Sequence, residues 1–337
     1  MKTKTRHNLE PLLSYIATED GWNLAAYRYK SNARRYPVLL VHGFGTNRFD
    51  VDFPNERYSL AKYLHRRGFD VWIVEFRGTG KSHKPGALAK HTSKVFTDWT
   101  FDDFIFKDLP AVTRHIQTIT RRRKFHWVGH SLGGTVVYGA IEALGNGVCA
   151  SGVTLGAAMS ASSKGGFIRF LLKIDPLVKR LPVLPLKSLA ALGSRLVRYL
   201  GPLEDNFLYS MDNVDPKVLQ EILKIATENL SPRLFLQLHG WYKNNHFRSL
   251  DGHFSYRDRL KTIRAPFLVC AGSVDRLTGY PDVHLAYREI SSKRKRFHVF
   301  SRETGCKTEY GHMDLVLGKN SRREVYPVVA DWIERHD

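Results

Sequence analysis

Apolar residues along the chain fall into short runs separated by segments of helical length. Residues 37–41 (PVLLV) form a continuous apolar run, which predicts a strand buried on both faces and therefore a central parallel strand. Residues 69–76 (FDVWIVEF), 125–128, 152–155, 265–270 and 296–301 read as further strands. Between them, 58–67 is helical in pattern with Gly68 as its C-cap. The stretch 98–120 opens on a cap-like Asp98 or Thr100, carries acidic residues early and then becomes helical. Residues 135–144, 283–290 and 322–334 have helix-like spacing, the last closing the chain. Near the start, 15–18 and 24–29 flank Glu19-Asp20-Gly21, a hairpin signal.

Repeated strand–helix alternation predicts an α/β protein with a doubly wound, mostly parallel sheet. The alternation stops between 160 and 252. There the chain is apolar, basic and broken by prolines, and 217–247 reads as short helices. This segment is expected to be a helical cap inserted into the sheet domain, so that 1–159 and 253–337 form one core and 160–252 the lid.

Composition narrows the class. At 337 residues and 43% hydrophobic, the chain is large enough for one such domain with an insertion. Its longest apolar run is far short of the ~18 residues that would span a bilayer. The first residues are basic but lack the apolar centre of a signal peptide. Cys149, Cys270 and Cys306 are scattered without metal-ligand spacing, the pattern of reduced, mostly buried thiols. Together these features predict a cytoplasmic protein. A Cys149–Cys270 bridge is not called for.

The net charge is +20, from 52 Lys and Arg against 32 Asp and Glu. Such a field attracts phosphates, anionic lipid or acidic polymers. Runs such as 121–124 and 293–296 read first as a solvated basic face. No zinc-finger spacing, RNP-type strand or helix-turn-helix pattern accompanies them, so no specific nucleic-acid partner is expected.

The chemistry centres on Gly129-His130-Ser131-Leu132-Gly133, between the strand 125–128 and the helix 135–144. A serine at the middle of G-x-S-x-G in a strand–turn–helix context is the nucleophile-elbow pattern. The tight turn holds Ser131 in a strained backbone region and lifts its hydroxyl above the sheet. Gly129 and Gly133 leave room for the neighbouring strand and helix.

The nucleophile needs an acid and a base, in the order Ser…Asp/Glu…His. Asp275 follows the strand 267–272, where catalytic groups of open α/β sheets gather. Asp251 and Asp258 are weaker alternatives in or near the cap. His312 lies after the last strand and ahead of the final helix, which sets it above His253, His284 and His298 as general base. Asp314 reads as a helix N-terminal residue. An oxyanion hole would take backbone N–H groups from Leu132, just after the serine, and Phe44, in the His42-Gly43-Phe44-Gly45 loop after the first long strand. No metal or organic cofactor is implied.

The segments VLLVHGFGTNR, LHRRGFDVWIVEFRGTGKS, WTFDDFIFKDLPAV, FHWVGHSLGGT, AGSVDRLT and YGHMDLVLG resemble the α/β-hydrolase superfamily. Within it, 37–155 and 265–335 resemble the acid lipase and polyhydroxyalkanoate synthase-like branch, about two-thirds of the chain. The resemblance implies a nucleophile–Asp–His triad under a mobile cap, and it falls on Ser131, Asp275 and His312. Polymer synthases of that branch typically carry cysteine as nucleophile, so Ser131 favours hydrolysis. Animal acid lipases are exported and disulfide-bonded, features this sequence does not display. The cap matches neither group.

The expected activity is therefore a serine hydrolase of carboxylic esters or lipids with an apolar acyl part. Acyl transfer at the same site is the alternative enzyme. A catalytically silent basic scaffold for membrane or polyanion is the alternative from another class. A subsidiary expectation is that the Lys/Arg-studded stretch 166–200 forms an amphipathic lid in peripheral contact with an anionic membrane.

Overall fold

Eight strands among the described residues make one sheet: β1 (Leu12–Ala17), β2 (Asn23–Tyr29), β3 (Val38–Val41), β4 (Val71–Val74), β5 (Phe125–His130), β6 (Cys149–Leu155), β7 (Phe267–Gly272) and β8 (Lys295–Phe300). Their spatial order is β1-β2-β4-β3-β5-β6-β7-β8. β1 pairs antiparallel with β2 and β2 antiparallel with β4; all other pairings are parallel. The computed structural model describes residues 9–85, 98–161, 178, 180–196 and 208–337.

The continuous apolar strands are buried on both faces because helices cover both. Along β3, Leu39 and Val41 enter one core layer and Val38 and Leu40 the other, as the two-residue period of a strand requires. The first layer is closed by α2 (Leu109–Thr120), α3 (Leu132–Leu144) and α7 (Tyr280–Glu289), through residues such as Val112, Val136 and Val283. The second is closed by α1 (Leu60–Arg66) and α8 (Ser321–Glu334), through Leu64, Val325 and Val329. The sheet is thus doubly wound, as the alternation predicts.

Local signals explain most boundaries. Ser59 caps α1 by accepting from the Lys62 N–H at 3.0 Å. Thr100, not Asp98, begins the next helical stretch, in a capping box with Asp103. Before α2 the helix widens into a π-helical stretch, Phe104–Asp108, just where Pro110 removes a backbone donor. Asp108 there meets the Arg77 guanidinium at 2.7 and 2.9 Å, with both side chains buried. The strand expected over 69–76 is shorter, though Phe69 and Phe76 flank it in the core. Helix α7 starts earlier than the spacing suggests, because Pro281 is preset for a first turn.

Between β6 and β7 lie α4 (Leu186–Leu196), α5 (Pro216–Ile225) and α6 (Pro232–Asn244). In the stretch 166–200, Val178, Arg180 and 181–196 are described, and the remainder lies outside the described residues. Some of the basic runs are tied down rather than freely solvated. Arg67 pairs with Glu334 at 2.6 Å, Arg66 with Glu56 at 2.6 Å, and Lys295 Nζ donates to the carbonyls that end α7. Cys149 and Cys270 are buried free thiols. Among the described residues no helix is long and apolar enough to cross a membrane.

Candidate active site

The parallel strands deliver three side chains to one edge of the sheet. β5 ends at His130 and passes straight into Ser131, whose backbone sits at φ 55°, ψ −127°. A non-glycine residue rarely occupies this region, and here the surroundings enforce it. The Ser131 N–H donates to Leu155 O on β6 at 2.8 Å, and α3 begins at the next residue. The flanking glycines are obligatory. A Cβ on Gly129 would lie 2.3 Å from Gly133 O, and one on Gly133 would lie 2.3 Å from Val41 O.

β7 leads to Asp275, and the loop after β8 carries His312. His312 Nε2 is 2.7 Å from Ser131 Oγ, and its Nδ1 is 2.8 Å from Asp275 Oδ2. The three residues read from the sequence are thus brought together, in the expected order. Asp275 is buried, which by itself would raise its carboxyl pKa. The adjacent His312 and the hydrogen bonds from Thr278 outweigh burial and hold it below the usual carboxylate range. Leu277 and Thr278 N–H groups donate to Oδ1 at 2.9 and 2.8 Å.

The alternatives lie elsewhere. Asp251 accepts from Ser249, and Asp258 from Ser255. Asp314 is the first residue of a short helix, as its sequence position suggests, but it does more. Its carboxylate accepts from the Gly311 N–H at 3.0 Å and from Asn213 Nδ2 at 3.1 Å, and so braces the His312 loop. Burial raises its pKa to about 6 despite these donors. His284 stacks on Tyr280, and His298 lies on β8.

Phe44 and Leu132 line the same cavity as Ser131. The loop carrying Phe44 runs beside the serine, since a Cβ on Gly43 would lie 3.3 Å from Ser131 Cβ. The cavity measures about 750 Å³ including its open mouth. Its far wall is helix α6, which supplies Phe235, Leu238, His239, Trp241 and Tyr242, with Phe247 beyond. Positions 235, 238 and 242 recur at helical spacing, so one face of α6 looks onto the serine. Among the described residues, no group of three or more His, Cys, Asp or Glu is placed to hold a metal ion.

Sequence reasoning missed three features. Thr278 Oγ1 lies 2.7 Å from Asp275 Oδ2, 3.1 Å from His312 Nδ1 and 3.0 Å from Gly156 O. His130 and Asp50 form a buried pair at 3.0 and 3.1 Å directly beside the serine. The wall from α6 is the third. The only hint in the chain was that His130 occupies the variable position before Ser131.

A family model described as the alpha/beta hydrolase fold matches residues 36–303. The chain belongs to this family. Triacylglycerol lipase 1 of Arabidopsis thaliana is 26% identical to this α/β hydrolase over 351 aligned positions, covering 92% of the chain and 84% of the lipase. Triacylglycerol lipase 2 of the same plant is 30% identical over 139 residues, 39% of the chain. Only 33% of that lipase's own length is matched. Among solved structures, an esterase from Thermogutta terrifontis superposes with a TM-score of 0.62 at 17% identity, covering 96% of this chain and 99% of its own. That likeness shows the fold.

Proposed function

We propose that this α/β hydrolase is a serine esterase or lipase, cleaving carboxylic esters with an apolar acyl part through Ser131, His312 and Asp275. The observation that carries the reading is the unbroken chain of contacts, 2.7 Å from Ser131 Oγ to His312 Nε2 and 2.8 Å from Nδ1 to Asp275 Oδ2, at the floor of an apolar cavity. Similarity to lipases supports the substrate class.

In this reading neutral His312 donates its Nδ1–H to ionised Asp275, which leaves Nε2 to accept the serine proton. Ser131 Oγ attacks the ester carbonyl, and the developing oxyanion takes hydrogen bonds from the backbone N–H groups of Leu132 and Phe44. His312 passes the proton to the leaving alcohol, giving an acyl-enzyme. Water then repeats the cycle in reverse: His312 takes its proton, the acid leaves and Ser131 is restored. Asp275 orients the imidazole and stabilises its transient charge. The proposal extends to the domains: 160–252 is a cap on the sheet domain, and its helix α6 lines the serine cavity. Exposed Leu189 and Leu192 on α4 are the surface we assign to contact with an anionic membrane, in keeping with the net charge of +20. Binding to anionic vesicles that is lost on changing both leucines to aspartate tests that contact.

The activity itself is tested with p-nitrophenyl esters from acetate to palmitate. Wild-type turnover that falls at least about 10³-fold in Ser131→Ala is expected. Equal turnover in the two proteins overturns the assignment.

A further inference from the structure

The pair formed by His130 and Asp50 does not take part in the steps above, yet it bonds to the main chain at both Gly43 and His312, and His130 adjoins Ser131. We propose that His130 is a positioning residue, held as an imidazolium by Asp50, that locks the oxyanion loop, the nucleophile turn and the His312 main chain into one geometry. The proposal rests on the reading of Ser131 and His312 as reacting groups.

Hydrogen-bond chemistry carries the charge assignment. His130 is 1% exposed and Asp50 fully buried. The ring's Nδ1 faces both carboxylate oxygens of Asp50, and its Nε2 faces the backbone carbonyl of His312 at 3.2 Å. A neutral imidazole has one N–H, so one nitrogen would set a lone pair against an oxygen lone pair, away from water. Only the imidazolium donates on both sides. Moving the proton to Asp50 would also satisfy the ring, but Asp50 Oδ2 accepts the Gly43 N–H at 2.8 Å, which favours the carboxylate. Between a carboxylate and an imidazole, the imidazole is the stronger base. Burial works against a charged ring, while Asp50 and the His312 carbonyl raise its pKa above the ordinary 6.5. Burial likewise opposes the Asp50 charge, and His130 and Gly43 hold it ionised.

The positions of these partners give the pair its role. His130 precedes Ser131 in the chain. Gly43 precedes Phe44, one of the two proposed oxyanion donors. The acceptor of Nε2 is the main chain of the proposed base, whose ring centroid lies 5.0 Å from that of His130. One charged side chain therefore spans three loops from β3, β5 and β8. As an ion pair it is neutral overall and does not oppose the charge that His312 acquires in the reaction.

Loss of the His130 proton would remove one of the two donors. It would also leave an uncompensated Asp50 negative charge near the developing oxyanion. The other titratable groups around the pair are His42, His312, Asp275 and Tyr326. Burial keeps His42 neutral, and burial raises Tyr326, whose hydroxyl donates to Val316 O. Activity is thus expected to fall on the alkaline side as His130, not His42 or Tyr326, deprotonates.

The test is ¹⁵N-histidine NMR of the full chain at pH 7.5, with the His130 ring assigned through its own backbone resonances. Protons on both ring nitrogens support the proposal; a neutral tautomer overturns it. Kinetics supply the second readout. His130→Gln should lower kcat roughly 10–100-fold with KM little changed, and should abolish the alkaline decline. Asp50→Asn should move that decline to lower pH. An alkaline limb that persists unchanged in folded His130→Gln overturns the positioning role. Turnover surviving in Ser131→Ala would instead sink the active-site reading and leave the NMR result standing.

Discussion

Gly133 lies against Val41 so closely that a methyl group added to it would sit 2.3 Å from the Val41 carbonyl oxygen. The contact clamps the start of α3 onto β3 and so fixes the height of the Ser131 turn above the sheet. Gly133→Ala should destabilise the fold by about 3 kcal/mol, because backbone, not a flexible side chain, stands in the way. Gly240, in the middle of α6, has nothing within 4 Å of its Cβ position. The same substitution there should stabilise by about 0.5–1 kcal/mol through helix propensity. Denaturant midpoints of the two variants should move in opposite directions, and equal midpoints would mean that the elbow can relax.

The apolar wall of α6 sets the size of the bound acyl group under the proposed function. Leu238→Trp adds bulk to the cavity opposite Ser131. Acetate and butyrate esters should be hydrolysed nearly as before. Palmitate ester hydrolysis should drop about tenfold or more in kcat/KM. A chain-length profile identical to wild type would place the acyl chain elsewhere.

Thr278 holds the acid–base pair from the side, through Asp275 Oδ2 and Gly156 O. Thr278→Val keeps the shape and removes the hydroxyl. Losing one hydrogen bond to a buried charged group should cut kcat about 5–10-fold, with KM within twofold. Parallel losses in kcat and thermal stability would indicate a merely structural role.

Glu142 on α3 is buried, and among the described residues neither of its carboxylate oxygens has a hydrogen-bond partner. Burial pushes its pKa well above 4.5, and Arg259 offsets this only in part. The folded state therefore keeps a proton that the unfolded chain has lost above pH 4.5. Stability should fall as pH rises from there towards the raised folded value, by up to about 1.4 kcal/mol per pH unit. Glu142→Gln should flatten this slope and stabilise the protein at pH 8 more than at pH 5. Urea unfolding across that range is the check, and parallel wild-type and variant curves would show that Glu142 does not titrate there.

What the amino-acid sequence determined was local. The two-face burial of 37–41, the helix caps and the glycine spacing around Ser131 follow from backbone geometry within a few residues. These were enough for the sheet class and the Ser131 turn, and the strand ends singled out Asp275 and His312, which lie beside it. What tertiary structure decided was which distant groups meet. Asp50 and His130 are 80 residues apart and pair only because β3 and β5 lie side by side. Neither residue carries a local pattern that announces its partner. The cavity wall is a similar case. Reading 217–247 as short helices does not say which surface an apolar helix face will cover, since burial is non-directional. Packing against the segment 99–102, where Ser231 Oγ donates to Trp99 O and the Phe101 N–H to Gln237 Oε1, turned that face of α6 towards Ser131.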